Sequence, residues 1–171
     1  MQLYNKLSKK ERLDLIHKAG EKRLTLSFYK YSKIKNTFIF RNFLFVHLER
    51  LNVLGRIYIA SEGINAQLSV PGSKLIEFKN LIDSISFLNG VRLNIAIKHS
   101  NEAFLKLKIK IKEKIVADGL NLNDYDLDVH GKHVNAKEFN ELLEDKNTIT
   151  IDMRNHYESE VGHFKGANLP N

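Results

Sequence analysis

Four lysines at alternate positions, Lys106, Lys108, Lys110 and Lys112, are the residues whose type and spacing point most directly to a chemistry. They interleave with Leu105, Leu107, Ile109 and Ile111, so a strand would put every ammonium group on one side. Alternate strand residues stand about 6.6 Å apart, and charges at that pitch can line a phosphate backbone without reading base sequence. Lysines along a strand also guard an open sheet edge against pairing with another chain, and the pattern alone leaves both uses open. The net charge of +7 and a pI near 9.5 permit a polyanionic partner such as RNA without demanding one.

A second candidate set is Tyr29, Tyr58, Asn65, Gln67 and Ser69, which fall on the polar side of three alternating segments. Aromatic rings on one face of a sheet can stack unpaired bases. No RNA-recognition-motif octapeptide accompanies them, and packing against a neighbouring domain is the more ordinary use of such a face. Other chemistries are set aside. The chain has no cysteine, which excludes thiol catalysis and a disulfide framework within these residues. His130 and His133 are close in sequence, but no cysteine joins them and no metal site is expected. The segment after the first strand, Lys30-Tyr31-Ser32-Lys33-Ile34-Lys35, has no glycine with which to cradle a phosphate on backbone amides, so acylphosphatase chemistry is not expected.

These side chains need a scaffold, and the periodicity supplies one. Ser8 and Glu11 form a capping box ahead of a short helix that Gly20 ends. Arg23 to Lys30, Arg56 to Ser61 and Ile64 to Val70 alternate as half-buried strands, the last two joined at Glu62-Gly63. Phe38 to Leu51 and Lys74 to about Ser86 carry apolar residues at helical spacing. Arg92 to Lys98 is a further strand built on Leu93, Ile95 and Ile97. The order is βαββαβ, that of a ferredoxin-like domain: one antiparallel four-stranded sheet with both helices on one face, and with Ile57, Ile59, Leu93 and Ile95 turned inward. Phe104 to Lys112 adds the lysine-striped strand. An acidic stretch with Asp118, Asp124, Asp126 and Asp128 marks a boundary. Beyond it Asn135 caps a helix with Phe139, Leu142 and Leu143, and Thr148 to Met153 reads as a strand, so a new α/β unit begins and is expected to be incomplete at Asn171. No secretory h-region follows Met1 and no apolar run approaches about 18 residues, so the expected location is cytoplasmic, away from membranes.

The last stretch, Ile151-Asp152-Met153-Arg154-Asn155-His156-Tyr157-Glu158 followed by Gly162-His163-Phe164-Lys165-Gly166-Ala167 and Pro170, resembles the opening of a rhodanese domain. Upstream, Leu26-Ser27-Phe28-Tyr29-Lys30-Tyr31, the run from Gly55 to Ala66, and Phe104-Leu105-Lys106-Leu107-Lys108 are similar to blocks of one rhodanese subgroup, the bacterial tRNA uridine hydroxylases. That resemblance covers residues 23–171. It implies an α+β chain in which a ferredoxin-like (acylphosphatase-like) domain precedes the start of an α/β rhodanese domain. The expected organisation is a helical extension over 1–22, the ferredoxin-like domain with its extra strand over 23–117, a linker over 118–132, and the beginning of the rhodanese domain over 133–171. The resemblance further implies tRNA as partner, molecular oxygen as co-substrate with no other cofactor, and conversion of a wobble uridine to 5-hydroxyuridine. The nucleophilic cysteine would lie beyond Asn171, in the rest of the rhodanese half in cis, so this chain alone is expected to be inactive. A sulfurtransferase using the same cysteine, and a non-enzymatic RNA- or protein-binding module, are the alternative readings.

Overall fold

The computed structural model describes Leu3, residues 7–116 and residues 131–170. The expected linker, with its four aspartates, lies almost wholly outside them, as does His130. The chain divides into two compact units, Met1–Val129 and His130–Asn171.

The first unit opens with helix α1, Lys9–Ala19. Ser8 and Glu11 close the capping box at its start, and Gly20 adopts a left-handed conformation at its end. Strand β1 is Arg23–Tyr31 and helix α2 is Thr37–Arg50, whose first turn is capped by Asn36 accepting from the Ile39 N–H at 2.9 Å. Strands β2, Leu54–Ala60, and β3, Gly63–Pro71, form the hairpin; helix α3, Leu75–Asp83, follows a short 3₁₀ turn. Strand β4 is Asn94–Ile95 and strand β5 is Leu107–Ile111.

The sheet order is β4-β1-β3-β2-β5. The first four strands are antiparallel in the ferredoxin-like arrangement, and β5 joins β2 in parallel. One apolar cluster fuses Leu26, Phe28, Ile57, Ile59, Ile64 and Leu68 of the sheet with Leu44, Phe45 and Leu48 of α2 and Phe78 and Ile82 of α3, so both helices lie on the same face. Leu107 and Ile109 belong to that cluster, which makes β5 part of the core as well as its margin. Gly63 is one of two positions among the described residues where side-chain absence is required, Gly55 being the other: its φ is 153°, and a Cβ there would meet the Lys30 carbonyl oxygen at 2.2 Å.

The second crossover differs from its sequence reading. α3 stops at Asp83, because the Ser84 hydroxyl donates to the Leu81 carbonyl at 2.6 Å and Asp83 accepts from the Gly90 N–H at 3.1 Å, which turns the chain out of the helix. The strand expected over Arg92 to Lys98 shrinks to two residues. Ile95 faces Leu26 in the ladder, on the expected side, but is 47% exposed at the sheet margin, and Ile97 is 99% exposed. Side chains replace the missing ladder: His99 Nδ1 accepts the Thr25 N–H at 3.1 Å, and Asn101 Oδ1 accepts the Arg23 N–H at 2.9 Å.

In the second unit Asn135 and Glu138 form a capping box on helix α4, Ala136–Glu144, and at the start of helix α5, His156–Val161, the Glu158 carboxylate accepts from the Asn155 N–H at 3.2 Å and from its side-chain amide at 2.8 Å. Phe139 of α4 meets Phe164 edge-on at 4.8 Å. The strand expected over Thr148 to Met153 is a single parallel bridge, Ile151 to Asn168, with Asp152 N–H donating to the Asn168 carbonyl and Asn168 N–H to the Thr150 carbonyl. Within the described residues Asn168 is the one bridge partner of this segment. Arg154 bridges the Asp152 carboxylate at 2.6 Å and the Gly162 carbonyl at 2.7 Å. That pairing carries the Asp152 carboxyl down to about 2.

Candidate nucleic-acid interface

On the sheet face opposite α2 and α3, ladder partners form three rows across the strands. Thr25, Ser69 and Leu54 make the first. It is closed: Ser69 and Leu54 are buried, and the Arg23 guanidinium bonds the Ser69 hydroxyl at 2.9 Å. Ser69, expected on an open surface, is therefore internal, because Arg23 needs its oxygen atoms.

The other two rows are accessible. One runs Asn94–Ser27–Gln67–Arg56–Lys108 and the next Tyr29–Asn65–Tyr58–Lys110. Directly paired residues share a face, so the lysine stripe and the tyrosine face are one continuous surface. Neither row contains a carboxylate. Lys108, Lys110 and Arg56 are exposed, and among the described residues no ion pair engages them.

The four expected lysines do not have equal standing. Lys108 and Lys110 lie within β5, whereas Lys106 and Lys112 flank it. Their backbones extend the pairing, with the Gly55 N–H donating to the Lys106 carbonyl at 2.9 Å and the Lys112 N–H donating to the Ile59 carbonyl at 2.8 Å. Lys112 turns back over the Tyr58 ring, its Nζ 5.8 Å from the centroid. Tyr29 is 57% exposed and is braced edge-on by Tyr31 at 6.4 Å.

An open cleft of about 810 Å³ continues from Tyr58 along Ile111 to Val116, with Glu113 among its walls. The segment is pinned at Ile115, whose N–H donates to the buried Glu62 carboxylate at 2.7 Å and whose carbonyl accepts from Asn65 at 3.4 Å. Sequence reasoning missed Arg56 and Asn94. Arg56 had a signal, since it stands two residues before Tyr58 in an alternating strand. Asn94 had none, because its position depends on two residues of edge pairing. Among the described residues no group of three or more His, Cys, Asp or Glu side chains could hold a metal ion. No helix among them is long and apolar enough to cross a membrane.

The family described as the UPF0176 acylphosphatase like domain matches residues 23–115. A tRNA uridine(34) hydroxylase of Leptospira interrogans serogroup Icterohaemorrhagiae serovar Lai (strain 56601) is 51% identical over 148 residues, 86% of this chain and 40% of the relative. A tRNA uridine(34) hydroxylase of Photorhabdus laumondii subsp. laumondii is 42% identical over 166 residues, 96% of this chain and 47% of the relative. Another, of Enterobacter sp. (strain 638), is 43% identical over 166 residues, covering 96% of this chain and 48% of the relative. The chain thus spans somewhat under half the length of these relatives.

Proposed function

The chain belongs to the UPF0176 acylphosphatase like domain family, and from that premise we propose that it is the N-terminal part of a tRNA-modifying oxygenase that hydroxylates uridine 34, the wobble uridine, to 5-hydroxyuridine. The observation that carries the reading is identity of 42% to 51%, over 86% to 96% of the chain, to proteins named for that activity. In this proposal the nucleophile is a cysteine in a part of the protein outside these 171 residues, which themselves contain no cysteine. Its thiolate would add to C6 of the uracil, making C5 electron-rich enough to attack molecular oxygen as co-substrate; loss of the C5 proton and departure of the thiolate from C6 restore the double bond, one oxygen atom stays on C5, and the other leaves as water with two electrons drawn from an external reductant. No bound cofactor is invoked. The enzyme would act in the cytoplasm.

In this proposal residues 23–117 form the tRNA-gripping domain, 118–132 a linker, and 133–171 the start of a rhodanese domain. The second unit supports the last assignment. The one bridge among its described residues is parallel, and Ile149, Ile151 and Met153 are 75%, 55% and 80% exposed. Parallel strands are normally covered on both faces, so these side chains are those a larger parallel sheet would bury. Within the first unit, Lys106, Lys108, Lys110 and Lys112 would meet tRNA phosphates, with Arg56 added to them.

The test is nucleoside mass spectrometry of unmodified tRNA incubated aerobically with the protein extended to the relatives' length. 5-Hydroxyuridine at position 34 is the expected product, absent under anaerobic conditions and absent with the 171-residue chain alone. Its formation by the 171-residue chain would sink the cysteine mechanism. Thiocyanate formation from thiosulfate and cyanide, with no hydroxylated uridine, would place the activity with the sulfurtransferases instead.

A further inference from the structure

The lysine stripe accounts for a grip on phosphates. It does not account for the tyrosine beside it, since phosphate contacts need no aromatic ring. Tyr29 is an exposed ring on a polar, half-open face, in edge-on contact with Tyr31 at 6.4 Å, which leaves a large part of its surface open to a stacking partner. Tyr58, in the same row, already has the Lys112 ammonium over its ring. Between the two tyrosines lies Asn65, and Gln67 in the adjacent row is exposed. From β1 to β5 is three strand spacings, about 14 Å, so the free ring and the cations are near enough for one short extended strand to touch both.

We propose that the two accessible rows bind a single-stranded segment of RNA, one unpaired base stacking on Tyr29 while the adjoining phosphates lie along Arg56, Lys108 and Lys110. The proposal rests on reading the chain as part of a tRNA-modifying enzyme, and it adds that the RNA presented to this domain is unpaired. A duplex hides its base faces in its own stack and offers Tyr29 nothing to stack on, whereas looped-out bases are available. The absence of carboxylates from both rows matches a polyanion, and stacking is tolerant of base identity because every base has a π face. The amide of Gln67 offers donors and an acceptor to a base edge.

The experiment is an anisotropy titration of the 171-residue chain with a fluorescein-labelled, eight-nucleotide oligouridylate and with an RNA duplex of the same strand length, each at several salt concentrations. Tyr29→Leu is expected to weaken the single strand roughly 5- to 150-fold with an unchanged salt slope, the range that loss of one stacked base gives. Tyr29→Phe is expected to bind like the parent, which separates loss of the ring from loss of the hydroxyl. Lys108→Gln with Lys110→Gln should lower the salt slope by about 0.7 for each phosphate contact removed. Tyr29 is exposed, so Tyr29→Leu folds normally by circular dichroism. Single-strand affinity unchanged in Tyr29→Leu, an equal loss on the duplex, or no binding of oligouridylate by the parent chain would each overturn the stacking site. Displacement of the oligouridylate by an acidic peptide that binds parent and Tyr29→Leu alike would assign the face to protein and overturn it as well. A weakened lysine variant beside an unaffected Tyr29→Leu would leave a phosphate grip alone, and the proposed hydroxylase would survive. Conversely, stacking by this chain with no 5-hydroxyuridine from the extended protein would defeat the hydroxylase reading and leave the RNA platform standing.

Discussion

Replacing Arg23 with methionine should cost the first unit about 3 kcal/mol. Arg23 is 7% exposed, and its guanidinium makes three hydrogen bonds: Nε to the Ser69 hydroxyl at 2.9 Å, and Nη2 to the Ser69 carbonyl at 2.8 Å and the Asn52 carbonyl at 2.7 Å. Hydrogen bonds from a charged donor contribute roughly 1.5 to 3 kcal/mol each, and an abandoned buried acceptor costs about 1 to 3 kcal/mol. Against this, methionine removes a buried cation. Burial already pushes the Arg23 pKa below the ordinary arginine value, an effect that Glu21 opposes and Arg12 reinforces, so part of the loss is returned. The net of about 3 kcal/mol corresponds to a fall in Tm of roughly 12 °C for a unit of this size. Arg23→Lys, with one head group for three acceptors in different directions, should recover less than half. Urea and thermal unfolding followed by far-ultraviolet circular dichroism would measure both. A double-mutant cycle with Ser69→Ala should show coupling of about 1 kcal/mol. A loss below about 1 kcal/mol for Arg23→Met, or a lysine variant as stable as the parent, would refute the account of this buried cation.

Three further outcomes are expected. Gly63→Ala should destabilise the first unit by at least about 2 kcal/mol, because its Cβ would lie 2.2 Å from the Lys30 carbonyl and the Tyr31–Gly63 end of the ladder must open; an unchanged urea midpoint would contradict that register. Asp152 has its carboxyl lowered from 3.8 to about 2, chiefly by the Arg154 side chain and then its backbone N–H. Its folded pKa lies below its unfolded one, so its stabilising contribution is complete above about 4 and disappears as the pH falls through about 2; Arg154→Gln should return the NMR-detected carboxyl titration toward the ordinary aspartate range, and a titration still near 2 would show another cause. Asn135→Ala removes the side chain that accepts from the Lys137 and Glu138 N–H groups, and should cost α4 about 1 kcal/mol, read as faster hydrogen exchange in its first turn.

What could be read from the sequence was whatever one segment decides by itself. Over their middle residues β1, β2 and β3 each have a single buried side, so alternation placed Phe28, Ile59 and Leu68 correctly, and the Ser8–Glu11 capping pair and the Asn135 cap are local by construction. β4 escaped because Leu93, Ile95 and Ile97 alternate like any strand, while the decision to stop pairing is made by His99 and Asn101 bonding β1 from outside the segment. The interface was legible by residue and illegible by neighbourhood. Alternation put four lysines on one side of a strand, but that Lys108 meets Arg56 and Lys110 meets Tyr58 depends on β5 choosing β2, and choosing it in parallel, across nearly fifty intervening residues. Ser69 was misplaced for a similar reason: its side is polar in pattern, yet a side chain from the start of β1 reaches across and closes it.

The parallel fifth strand also bears on the order in which the domain can be made. The β1, β3 and β2 pairings lie within residues 23–71, whereas the outer edge of β2 receives its partner only from Lys106 to Lys112. On a ribosome adding about 5 to 20 residues per second, that interval lasts roughly 3 to 10 s after Ala60 has been joined. Throughout it the amides of Gly55 and its successors, and the apolar surface that Leu107 and Ile109 later cover, face whatever is nearby. A chain interrupted before Lys106 would keep that edge permanently bare, and nascent chains released at that length should aggregate through β2, whereas those extended past Lys112 should not.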